Sequence, residues 1–139
     1  MKETTRRYLI ITILFAAIFV LVTAKNIRTQ KQTEELADDS VIGKGKPVLL
    51  ELGSHSCIPC KQMMPILNEL SKEQDTFIVS FVDVWVTEEI GQKYGIESIP
   101  TQIFFDADGN ELFRHVAFYP KEDILAKWKE LGVDVKRQP

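Results

Sequence analysis

The stretch Glu51-Leu52-Gly53-Ser54-His55-Ser56-Cys57-Ile58-Pro59-Cys60-Lys61-Gln62-Met63-Met64-Pro65 decides the reading of this chain. It holds both cysteines of the 139-residue sequence, spaced as Cys-x-x-Cys. A disulfide across so short a loop restrains the unfolded chain very little, because that effect grows with loop length. A purely structural staple is therefore a poor account of the pair. Upstream, Pro47–Leu52 is apolar except for Glu51 and reads as a buried strand. Downstream, helix signals run from Pro59 to Lys72, with Met63, Ile66, Leu67 and Leu70 on one face. Pro65 is expected to kink that helix, since it lacks an amide hydrogen and crowds the preceding turn.

Cys57 thus falls where a strand gives way to a helix. Unpaired amide hydrogens and the positive end of the helix dipole favour a thiolate there, and the thiolate is the attacking species. Cys60 lies one turn deeper on the same side, placed to attack a mixed disulfide at Cys57 and release the partner. Pro59 suits the first helical turn and restricts the backbone between the sulfurs. Cys-x-x-Cys also occurs in zinc sites, but these need three or four protein ligands. Only His55 and His115 could supplement the cysteines, and no second Cys-x-x-Cys exists. Neither a metal nor a cofactor is expected.

Further along, Thr76–Val84 is rich in β-branched and aromatic residues and reads as a second strand. Thr87-Glu88-Glu89 opens a short helix closing at Tyr94, with Gly95 suited to its C′ position. Thr101–Phe105 is a third strand, residues 106–110 a hairpin turn, and Glu111–Phe118 the returning strand. Pro120 begins a last helix to Leu131, with Ile124, Leu125 and Trp128 inward. A short amphipathic helix is predicted over Glu34–Ile42, ended by Gly43 and Gly45. The order is helix, strand, helix, strand, helix, strand, strand, helix. It implies an α/β domain whose mixed central sheet has a parallel portion and an antiparallel hairpin, flanked by helices.

The N-terminus carries a different message. Lys2, Arg6 and Arg7 precede the uncharged stretch Tyr8–Ala24, which then meets Lys25, Arg28 and Lys31. Seventeen residues of helix rise about 26 Å, close to the thickness of a bilayer core. The segment reads as one N-terminal transmembrane helix or as a signal peptide cut after Ala24, and the length of the apolar run favours the anchor. Retention of Arg6 and Arg7 inside puts the rest of the chain on the extracytoplasmic side, where disulfides persist. The expected organisation is anchor or signal peptide over 1–24, polar tether over 25–33, and a domain over 34–139. With 27% charged residues, a net charge of −3 and no basic cluster, nucleic-acid binding is excluded as a function class.

Two segments together resemble the thioredoxin family. Residues 51–65 resemble its active-site segment, with a buried acid on the strand, Cys-x-Pro-Cys-Lys and a kinking proline. Tyr94–Thr101 (YGIESIPT) resembles the segment ending in Ile-Pro-Thr, whose proline is cis and faces the disulfide. The similarity runs from about residue 34 to 132 and implies the thioredoxin fold. It further implies Cys57 as nucleophile, Cys60 as resolving thiol, and Pro100 shaping a substrate groove. Ile58, Pro59, Ile99 and Thr101 border that groove, and Ile99 backbone groups pair with an extended partner segment. Glu51 takes the place of the buried acid that moves the proton of the buried thiol. Burial in an apolar strand raises a carboxyl pKa toward neutrality, whereas a glutamate at a strand edge would face solvent.

The departures matter too. Ser56 stands where tryptophan is usual, Ile58 replaces glycine, and the lysine often found near the acid has no counterpart in Phe77–Val84. Ile58 and His55 occupy positions that tune the potential, although His55 also reads as an exposed loop residue. At least one of Met63 and Met64 reads as a packing residue, His115 reads as structural, and Trp85 either borders the site or covers the core. The function expected is thiol–disulfide exchange, in the reducing direction, on exported proteins, with apocytochrome c cysteines or wrongly paired disulfides as candidate substrates. A membrane-embedded electron donor is the implied partner. The alternatives are a dithiol oxidant or isomerase, and a non-catalytic adaptor or metal chaperone.

Overall fold

The computed structural model describes residue 8, residues 11–21, residue 23 and residues 39–135. The chain divides into two units, Met1–Glu35 and Leu36–Pro139. In the first, residues 11–21 are α-helical, and apolar side chains including Ile13, Phe15, Phe19 and Leu21 are exposed. Among the described residues no helix is long and apolar enough to cross a membrane. The spanning helix expected over Tyr8–Ala24 is therefore not part of the described architecture. The tether at 25–33, and residues 34–38 of the expected first helix, lie outside the described residues. The remainder of that helix is corrected: residues 39–46 form turns and bends. Gly43 sits at φ 73, and a Cβ there would lie 3.1 Å from the Asp108 carbonyl oxygen, so the segment is packed onto the hairpin turn.

The second unit follows the predicted order from there. Its elements are β1 (Val48–Gly53), α1 (Ile58–Glu73), β2 (Ile78–Asp83), α2 (Glu88–Lys93), β3 (Thr101–Phe105), β4 (Glu111–Val116) and α3 (Lys121–Glu130). The sheet order is β2-β1-β3-β4. β1 pairs parallel with β2 and antiparallel with β3, which pairs antiparallel with β4. The returning strand stops at Val116 rather than Phe118, because Ala117 turns to φ 94 and donates its N–H to the Pro100 carbonyl at 2.9 Å.

β1 is central and buried along its whole length, which is why its sequence is a nearly continuous apolar run. Strand alternation sends Leu49 into one core cluster with Met63, Leu67, Phe81, Phe104 and Trp128. Val48, Leu50 and Leu52 enter another with Val82, Ile103 and Phe105. Each such buried leucine contributes roughly 1.5–3 kcal/mol. α1 buries Cys60, Met63, Leu67 and Leu70 on one stripe, leaves Ile66 half-buried, and runs on through Pro65. Leu125 is likewise half-buried against the core, while Ile124 and Trp128 are buried completely.

Candidate active site

The sheet brings three separate loops to one end. Gly53 closes β1 beside Asp83, the last residue of parallel β2, and the antiparallel β3 starts at Thr101 opposite Leu52. Residues 54–57, 84–87 and 98–100 therefore emerge together. The Ile99–Pro100 peptide bond is cis.

Cys57 is the N-cap of α1, and its Sγ accepts the Cys60 N–H at 3.4 Å. The two sulfurs form a disulfide, with Cα atoms 5.2 Å apart. Cys57 is half-exposed and Cys60 is 1% exposed, so only the first sulfur can be reached from outside. Gly53 makes room for the second: a Cβ there would lie 3.3 Å from Cys60 Sγ and 3.2 Å from the Phe81 ring. Because alternate strand residues share a face, the Glu51 side chain leaves β1 on this same side.

Glu51 is fully buried, and among the described residues neither carboxyl oxygen has a hydrogen-bond partner. Burial pushes its pKa up to about 8, with the neighbouring Gln102 amide pulling the other way. The polar atoms of the two side chains are adjacent without meeting in hydrogen-bond geometry. Opposite Glu51 on β2 stands Phe81, so no cation from that strand offsets the burial.

The remaining predicted residues fall around the cysteines in different ways. Ile58 is 74% exposed and Pro59 is also exposed, which makes an apolar rim beside Cys57. Trp85 and Val86 extend the apolar surface rather than covering the core. A groove of about 550 Å³ runs between Trp85, Glu88 and the segment 95–99, with Ile99 in its wall. Pro100 is buried. Thr101 is buried and donates its hydroxyl to the Ser98 carbonyl at 2.7 Å, so its side chain supports the loop from beneath. His55 is exposed, with its ring 4.9 Å from that of Phe81. His115 stacks on Tyr119 at 4.0 Å. Met63 is core, and its sulfur accepts the Tyr119 N–H at 3.3 Å.

Two residues escaped the sequence reading. Asp83 accepts the His55 N–H at 2.8 Å, the Ser54 hydroxyl at 3.3 Å and the Trp85 N–H at 3.0 Å, tying two of the three loops together. Its signal was an acid ending an apolar strand immediately before a loop. Gln102 is fully buried beside Glu51 and was passed over as one polar position within an apolar strand.

Residues 34–132 match the family model described as a thioredoxin-like domain. The chain is 34% identical over 86 residues to a thioredoxin of Mycoplasmoides gallisepticum, covering 62% of this chain and 85% of that one. It is 38% identical over 84 residues to the chloroplastic thioredoxin Y1 of Arabidopsis thaliana, covering 60% of this chain but only 49% of the plant protein. Among solved structures, the exposed lipoprotein thioredoxin of Streptococcus pneumoniae is 25% identical with a TM-score of 0.54, over 63% of this chain and 87% of that one. The Malassezia sympodialis thioredoxin is 26% identical with a TM-score of 0.58, over 68% and 85% respectively.

Proposed function

This chain belongs to the thioredoxin family, and on that premise we propose that it is a thiol–disulfide oxidoreductase that reduces disulfides of exported proteins. The observation that carries the reading is the unequal pair at the start of α1: Cys57 accessible at the N-cap, and Cys60 buried against Gly53 on the strand face that also carries the buried Glu51.

In the reduced protein the Cys57 thiolate, stabilised by the helix N-terminus, attacks one sulfur of a substrate disulfide. A mixed disulfide forms and the first substrate thiolate leaves. Glu51 in its ionised form accepts the Cys60 proton, and the Cys60 thiolate attacks the Cys57 sulfur. The second substrate thiolate departs, leaving the Cys57–Cys60 disulfide and a substrate richer by two electrons. A carboxyl titrating near pH 8 exchanges its proton under such conditions. The apolar rim of Ile58 and Trp85 and the groove walled by Ile99 receive the substrate segment, with Ile99 backbone groups pairing in strand-addition fashion. Pro100 shapes that groove, and Pro59 and Thr101 hold its two sides.

The compartment is part of the proposal. The uncharged stretch Tyr8–Ala24 after Arg6 and Arg7 supports a membrane anchor with the redox domain outside the cytoplasm, or a secreted form if cut after Ala24. A reductant there needs electrons from a membrane-embedded donor. Apocytochrome c is a substrate candidate.

The test is the reduction potential of the Cys57–Cys60 couple, by equilibration against thiol buffers, with Cys57→Ser as the inactive control. A value near about −270 mV supports a reductant, whereas one near about −120 mV overturns the direction in favour of an oxidant. A pair that does not cycle leaves the adaptor reading.

A further inference from the structure

Cross-strand register aligns Glu51 on β1 with Gln102 on β3, and Gln102 with His115 on β4. Directly opposed residues project to the same face, so the three side chains form one polar row across three strands. The row lies on the side where Leu49, Phe104 and Phe113 pack against the core beneath α1, two positions from each of its first two members. Glu51 and Gln102 are both fully buried, and among the described residues both carboxyl oxygens and both amide atoms lack hydrogen-bond partners. A buried amide left unsatisfied is costly, and a leucine would fill the same space without that cost. At the outer end His115 is half-exposed, stacked on Tyr119, with Nε2 3.4 Å from the Phe118 carbonyl.

Resting on the redox reading of the cysteine pair, we propose that Gln102 is a positioning residue that holds the Glu51 carboxyl for proton exchange with Cys60, itself steadied from the β4 side by His115. Glutamine suits this task because its amide serves both states of the acid. Its oxygen accepts from a protonated carboxyl, and its N–H donates to a carboxylate. Cys60 reaches the same face through the gap at Gly53. Among the described residues, His55 also borders this side, with its exposed ring 4.9 Å from that of Phe81 opposite Glu51. Asp83 of β2 spends its oxygens on the Ser54–His55 and Trp85 loops, and Tyr119 stacks on His115. α3 turns only Ile124 and Trp128 fully inward, with Lys127 over the Phe113 ring.

The experiment follows the resolving step directly in the full chain. The Cys57 mixed disulfide with thionitrobenzoate is formed, and its release by Cys60 is timed by stopped flow across pH. In the wild type the rate rises with pH as Glu51 ionises. Gln102→Met keeps the volume but removes the donor to the carboxylate, and moves the midpoint upward by about one pH unit. The same substitution in a Glu51→Gln background leaves the profile unchanged. His115→Phe, which retains a ring against Tyr119, moves the midpoint in the same direction by less, and serves as the test if Gln102→Met does not fold. An unmoved midpoint in a folded variant overturns the proposal, as does a shift that persists without Glu51. A wild-type mixed disulfide that never resolves instead overturns the redox reading itself.

Discussion

Glu51 and Asp83 leave neighbouring parallel strands toward the same side of the sheet, and the protein treats them oppositely. Asp83, at the strand end, accepts from two backbone amides and a buried serine hydroxyl. The Ser54 and His55 bonds tie the loop after β1 to the end of β2, and the Trp85 bond closes the turn that follows Asp83 itself. Glu51, two positions further back in the register, has no such partner and is fully enclosed. The first acid stabilises geometry because loop donors meet its oxygens. The second is suited to chemistry because burial without a match brings its proton affinity near neutrality. The same residue class, one strand apart, is either tied into the loops or left without partners according to whether backbone donors reach it.

The sharpest way to break that contrast is Glu51→Gln. The folded carboxyl holds its proton up to about pH 8 against an ordinary value of 4.5. The folded state thus binds the proton more tightly across that window, and wild-type stability is full at the acid end and falls as pH rises through it. Glu51→Gln abolishes this decline, so its stability relative to wild type grows by roughly 3–5 kcal/mol between about pH 4 and pH 9. Denaturant melts at the two ends measure it, and a constant difference would mean that Glu51 is matched after all.

Asp83→Ala should behave in the other manner. It removes the shared acceptor of the His55 and Trp85 N–H groups and the Ser54 hydroxyl, and lowers stability by about 1–2 kcal/mol. Amide exchange at those two positions would accelerate together. Retained protection there would show that the loops do not depend on this carboxylate.

Ser54→Ala gives the smallest effect. The Ser54 hydroxyl donates to Asp83 and accepts the Ser56 N–H at 3.2 Å, so its loss costs about 1 kcal/mol. A double-mutant cycle with Asp83→Ala should show coupling, and strict additivity would separate the serine from the acid.

Most of the fold was legible because its signals are local. Strand β2 and helix α2 stand where the β-branched and aromatic run, Thr87 and Gly95 put them, and α1 begins at the cysteine pair. The end of the first expected helix, at residues 39–42, differs because Gly43 is held with its backbone against the hairpin turn. That contact joins residues far apart in sequence. The returning strand was overrun by two residues for a similar reason, since Ala117 is drawn to Pro100. In the site, the residues contributed by contiguous motifs were visible, and those contributed by register were not. Thr101 looked like a groove residue from its motif, yet its hydroxyl faces inward to Ser98.

By itself the sequence determined the element order, the N-capping cysteine and its partner one turn on, and the apolar central strand that encloses an acid. These follow from periodicity, spacing and residue type within a dozen positions. Only the tertiary structure decided that Gln102 and His115 line up with Glu51, that Asp83 is spent on loop amides, and that Gly53 opens the gap to Cys60. Those facts depend on which strands pair and in what register, a choice made by the global burial of two core faces rather than by any local propensity.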